Sequence, residues 1–236
     1  MTNARTARIA ENLSAVRSRI AAAAVRSGRD AKDVSLVAVT KYVGLPEMEA
    51  LIANGCYDLG ESRPQSLWEK AAALSHTPVR WHLIGHLQRN KIRRTIPHLY
   101  RLHSGDSLRL LSEVDQEAST IDRPIDVLLE INISGDLTKH GFSSDELLAA
   151  AAEAAKLPRV RVRGLMAMSG LESNSNQTRQ QFAAVRMLLE ELNAQCVFPD
   201  KLTELSMGMS DDYELAILEG ATLVRVGSAL FEGLSE

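Results

Sequence analysis

A chain of 236 residues, 45% hydrophobic and 24% charged with a formal net charge of −3, has the composition of a globular protein long enough to bury a sizeable core. The near-neutral balance lacks the basic excess of a nucleic-acid binder, and no apolar run approaches the roughly 20 residues that span a bilayer. Cys56 and Cys196 lie far apart and form no CxxC pair, which fits a reducing cytoplasm better than a disulfide framework or a zinc site.

The first thirty residues are rich in Arg, Ala and Ser and poor in acids, like an organelle transit peptide. Ile9, Leu13, Val16 and Ile20 recur at helical spacing, and the pattern runs into the first strand without a cleavage-like break. Both readings predict amphipathicity; a structural first helix is the favoured one. Strands are predicted at 34–41, 56–62, 79–85, 99–105, 125–134, 160–169, 202–208 and 222–227. Helical patterns fill 46–54, 64–75, 107–118, 143–156, 178–194 and 211–219. Several strands are continuous apolar runs, as expected of parallel strands buried on both faces. Ser143 with Glu146, and Asp211 with Glu214, have capping-box spacing.

Strand–helix alternation predicts βαβ units and a parallel sheet. About eight repeats predict an α/β fold of the (β/α)8 TIM-barrel type with an extra N-terminal helix, a doubly wound open sheet being the alternative. No Gly/Ser/Pro-rich linker splits the chain, so one domain over 1–236 is expected. The polar loop Glu172–Gln177 reads as a solvated loop or a lid.

Barrel chemistry gathers at the carboxyl ends of the strands. Lys41 ends an apolar run, where lost hydration would favour the neutral amine that attacks aldehydes; a lysine snorkelling into solvent is the bland alternative. Barrels often bind phosphate after strands 7 and 8. Here Ser206-Met207-Gly208-Met209-Ser210 and Gly227-Ser228 supply small residues whose amides approach an anion. The turn at Ser228 has no acid before Glu232 and is the better seat, whereas Asp211, Asp212 and Glu214 would repel phosphate. Arg225, inside an apolar strand, needs a partner: a salt bridge, or an acceptor on a bound cofactor. An imine-forming lysine, a phosphate seat and an arginine facing a ring nitrogen together describe a pyridoxal-phosphate site.

These residues resemble the pyridoxal-phosphate homeostasis proteins, whose barrel is similar to that of alanine racemase. The matching blocks are Val37-Ala38-Val39-Thr40-Lys41, Gly60-Glu61-Ser62, and His82 through Ile84-Gly85-His86-Leu87-Gln88 to Asn90-Lys91. They continue with Asn132-Ile133-Ser134-Gly135, Gly164-Leu165-Met166, Leu205 through Ser210, and Val224-Arg225-Val226-Gly227. The resemblance implies a Schiff base on Lys41, phosphate held by Ser206, Gly227 and Ser228, and Arg225 facing the ring nitrogen. Met207, Ser62, His82 and Met166 are further expected contacts. Ser62 and Pro64 depart from the family's usual Asn and Val, and Tyr42-Val43-Gly44 from its usual Thr-Lys-Pro.

The expected function is a cytoplasmic monomer that binds pyridoxal phosphate and controls its free level without strong turnover, no second domain being seen to cover a substrate. Its expected partners are pyridoxal phosphate and pyridoxal-phosphate-dependent apoenzymes, with neither nucleic acid nor a membrane. An amino-acid racemase-type enzyme is the alternative, and a phosphosugar barrel enzyme a second. His82 and His86 have i,i+4 spacing, but they read as strand then turn and lack a third ligand, so no metal is expected. Residues 71–105 hold six Lys/Arg and no acid (Arg80, Arg89, Lys91, Arg93, Arg94, Arg101) and read as a solvated basic helix face, with an anion or partner site as the sharper alternative.

Overall fold

The apolar runs become eight parallel strands, each paired to the next in chain order and the last to the first, in a closed barrel. The computed structural model describes residues 2–136, 140–170 and 173–234. The strands are β1 (Ser35–Val39), β2 (Asp58–Glu61), β3 (Arg80–Leu83), β4 (Leu99–Gly105), β5 (Ile125–Ile131), β6 (Val160–Ala167), β7 (Glu204–Ser206) and β8 (Leu223–Val226). Around them lie α1 (Thr2–Arg26), α2 (Leu45–Ala53), α3 (Pro64–Ala73), α4 (Ile92–Thr95), α5 (Leu108–Ala118), α6 (Ser144–Ala154), α7 (Ser175–Ala194) and α8 (Tyr213–Leu218). Closure explains the hydropathy pattern. All of β5 is buried, because one face meets the barrel interior and the other the helices.

The ring of helices has a seam, since β8 is followed only by a short 3-10 turn, Ser228–Leu230. Helix α1 fills it, packing on both α8 and α2. Its stripe of Ile9, Leu13, Val16 and Ile20 is buried, at about 1.5–3 kcal/mol for each side chain removed from water. Asn12 Nδ2 donates to the Leu230 and Glu232 carbonyls, tying α1 to the turn after β8. Just past α1, Arg29 donates to the carbonyls of Ile217, Gly220 and Ala221 at the end of α8, where a cation suits both the free carbonyls and the helix dipole. The expected structural first helix is present.

Three local expectations need correction. Ser143 and Glu146 form the capping box of α6, but Asp211 and Glu214 do not. Helix α8 starts at Tyr213, Asp212 binds the Met209 N–H instead, and Glu214 pairs with Arg19. The basic stretch, read as a helix face, is broken into the four-residue α4 and two 3-10 turns. Its charges meet neighbours: Arg89 pairs with Glu113, Arg93 with Glu117, and Arg94 lies over the Trp68 ring. Of the polar loop, Glu172 lies outside the described residues, while Asn174 caps α7 through its side chain. Among the described residues no helix is long and apolar enough to cross a membrane.

Candidate functional site

Arg225 stands in β8 with its guanidinium inside the barrel, 4% exposed. Nη1 donates to the Ser206 carbonyl at 2.7 Å and the Ser206 hydroxyl at 2.6 Å, and Nη2 to the Ala167 carbonyl at 3.0 Å. Burial pulls its pKa down to about 10, while Asp212 and Glu130 act on it through space to favour the charge. Among the described residues no carboxylate forms an ion pair with it, so the salt-bridge alternative is not realised. A buried cation held only by neutral oxygens remains electrostatically unbalanced.

Ser206 is the end of a buried chain crossing the barrel. Its Oγ lies 2.9 Å from His103 Nδ1, His103 Nε2 lies 2.8 Å from His82 Nδ1, and His82 Nε2 lies 3.0 Å from Asp58 Oδ1. Burial alone would raise the Asp58 carboxyl, but hydrogen bonds from Arg80 and His82 outweigh it and hold it at about 2. Burial keeps both imidazoles neutral, His103 well below its ordinary value. Donor counting then fixes every proton. The Asp58 carboxylate accepts from His82 Nε2–H, and His82 Nδ1 accepts from His103 Nε2–H. His103 Nδ1 accepts the Ser206 hydroxyl proton. Ser206 therefore accepts from Arg225 and has no proton left for a ligand.

This geometry relocates several expected site residues. Ser206 and His82 are buried structural links beneath Arg225, and Met207 belongs to the main apolar core. Met166 lies buried with Val37, Leu128 and Leu223 in a small cluster of its own. Gly227 and Ser228 do sit at the carboxyl end of β8, at the 3-10 turn. There the N–H groups of Gly227 and Ala229 converge on the Ser210 hydroxyl, at 3.1 and 3.5 Å. Ser210 Oγ is the hydroxyl that these amides meet, while Ser206 lies deeper, against Arg225. Gly208 lets the chain turn from β7 toward it, with φ at +89° and a Cβ position 2.7 Å from both Tyr213 Cα and Ala216 Cβ.

Lys41 follows β1 by two residues. The desolvation expected of it is not found: the residue is exposed, and its Nζ lies 4.8 Å from the Tyr42 ring centroid. Its backbone is nevertheless fixed. Thr40 Oγ1 donates to the buried Glu61 carboxylate at 2.6 Å, and Lys70 Nζ donates to both Glu61 and the Thr40 carbonyl. Ser62 is half-buried just after β2.

Glu130, on β5, was not anticipated. It is 7% exposed, and burial first, then the Asp106 carboxylate, push it up to about 7. An acid interrupting the apolar run 125–134 was the available signal. His82 and His86 diverge: the first points into the barrel, and the second reaches the carboxyl rim beside Asp106.

Residues 6–235 match the family model for the alanine racemase N-terminal domain. A pyridoxal phosphate homeostasis protein of Pseudomonas aeruginosa is 40% identical over 223 residues, covering 94% of each chain. One from Escherichia coli K12 is 38% identical over 226 residues, covering 94% of this chain and 95% of the other. Among solved structures, PipY of Synechococcus elongatus PCC7942 with pyridoxal phosphate bound gives a TM-score of 0.83 at 35% identity, covering 94% of this chain and 99% of that one.

Proposed function

The chain belongs to the family of pyridoxal phosphate homeostasis proteins, and from that premise we propose that it binds pyridoxal 5'-phosphate and controls the free level of this vitamin B6 form in the cytoplasm. The observation that carries this reading is Arg225, a buried cation with no ion-pair partner among the described residues, beside a turn whose amides converge on one oxygen. The phosphate would take the amides of Gly227, Ser228 and Ala229 together with Ser210. Lys41 Nζ, on an exposed side chain at the same end of the barrel, would hold the aldehyde carbon as a Schiff base. Arg225 would face the ring nitrogen.

When bound, the group supplies an electrophilic aldehyde and an electron-accepting ring. An arginine at the nitrogen keeps the ring unprotonated and weakens it as an electron sink, which favours storage and delivery over turnover. Delivery to apoenzymes by a monomer is part of the same proposal. One observation favours the racemase-type alternative: Glu130, at about 7, could exchange protons near neutrality. Hydrogen exchange at the α-carbon of amino acids in deuterated water, no faster than with free cofactor, is the outcome expected here.

The binding test is incubation with pyridoxal phosphate, borohydride reduction and peptide mass mapping. A phosphopyridoxyl adduct on Lys41, absent in Lys41→Ala, is the expected result. No adduct on Lys41 would overturn the proposal.

A further inference from the structure

On the side of the carboxyl rim formed after β3, β4 and β5, three residues from three successive loops meet. His86 follows β3, Asp106 follows β4 and His140 follows β5, and one ligand-capable atom from each lies within 4.8 Å of the other two. His86 Nδ1 is 2.7 Å from Asp106 Oδ2, and the rings of His86 and His140 stack with centroids 4.5 Å apart. Strands β3–β5 form the wall across the barrel from β1 and β8.

Two features separate this cluster from a casual surface pair. Asp106 is buried and held in place, its second oxygen accepting from Ser107 Oγ at 3.0 Å where Ser107 caps α5. A fixed carboxylate pays little entropy on ligation. Glu130 is the independent second observation. It is more than nine-tenths buried, its carboxylate has no hydrogen-bond partner among the described residues, and it stands within electrostatic range of Asp106, Arg225 and His86. A buried carboxylate flanked by two exposed imidazoles is a donor set that suits a cation.

We infer that His86, Asp106 and His140 form a binding site for a divalent transition-metal ion, zinc being the best match. Two imidazoles and a carboxylate are the ligand set of open zinc sites, with a fourth position left to water. The mixed nitrogen and oxygen donors disfavour magnesium and calcium, which prefer oxygen throughout. In a tetrahedral site with metal–nitrogen distances of about 2.0–2.1 Å, neighbouring ligand atoms stand about 3.3 Å apart. Reaching that spacing opens the 2.7 Å His86–Asp106 contact slightly and otherwise falls to His86 and His140, both exposed. A cation at the site would favour the charged form of the nearby Glu130 carboxyl.

The test is calorimetric titration of zinc chloride into the chelator-treated full chain, a readout independent of pyridoxal phosphate. One equivalent of zinc per chain is expected, with affinity falling at least tenfold in His86→Ala and in His140→Ala, and unchanged in His76→Ala, an exposed imidazole on another loop. Both truncations remove exposed side chains, and circular dichroism and melting temperature verify that the variants are folded. Glu130→Gln is expected to weaken zinc several-fold while keeping one equivalent. Substoichiometric uptake, or uptake undiminished by either of the two truncations, would overturn the site.

Discussion

The two mouths of the barrel carry similar residue types under opposite rules. At the amino end, Asp58 is clamped by Arg80 and His82, Arg101 reaches Glu204 at 2.5 Å and Asp126 at 3.7 Å, and Arg161 also holds Asp126. These charges neutralise one another around a cavity of about 450 Å³. At the carboxyl end, Arg225 rests on carbonyls and a hydroxyl, and Glu130 has no hydrogen-bond donor among the described residues. The difference teaches where stability and binding reside. Paired charges hold the scaffold, whereas unbalanced ones lower stability and are retained where a ligand completes them.

The comparison breaks if removing a charge has the same effect at both ends. Arg101→Met should destabilise by about 3–5 kcal/mol in urea unfolding, because Glu204 and Asp126 lose their buried partner. Glu130→Gln should do the reverse. The unfolded carboxyl loses its proton near 4.5 and the folded one near 7, so a penalty accumulates between those values and is full above 7. The variant is expected to gain about 3 kcal/mol at pH 8 and nothing at pH 4.

Apart from Glu130, acid should weaken the protein in two stages. His82 and His103 are neutral in the fold and free to protonate when unfolded, so stability falls as the pH drops through about 6.5. Asp58, lowered from 3.8 to about 2, adds about 2 kcal/mol above pH 3.8 that disappears only as the pH falls toward 2. Glu130 works in the opposite sense, its penalty easing as the pH falls from about 7 toward 4.5, so the two stages are read in Glu130→Gln. There urea midpoints from pH 8 down to pH 3 follow the first stage and the onset of the second, and a single transition near pH 4 would contradict the neutral imidazole chain. The smallest expected effect is that of Ser206→Ala. It leaves His103 Nδ1 without its donor, at about 1–2 kcal/mol, and should reduce cofactor affinity less than Ser210→Ala does.

The barrel was legible because parallel strands buried on both faces read as unbroken apolar runs, and because Ile9, Leu13, Val16 and Ile20 state their helix face directly. The site was legible in part. Ser206 and Ser210 share one five-residue motif, and composition alone does not say which is in β7, facing inward, and which lies beyond the Gly208 turn at the seat. Met207 illustrates the same difficulty: motif membership does not state its packing, and the structure places its side chain in the main apolar core. Asp106 and His140 are separated from His86 by whole strands and helices, so only closure of the barrel brings them together.

The most direct measurement is the affinity of Arg225→Met for pyridoxal phosphate, set beside that of Arg101→Met. If the unbalanced charge at the carboxyl end is the cofactor seat, Arg225→Met binds at least tenfold more weakly while remaining folded, and Arg101→Met, though less stable, binds as the parent does. Unchanged affinity in a folded Arg225→Met would contradict the account.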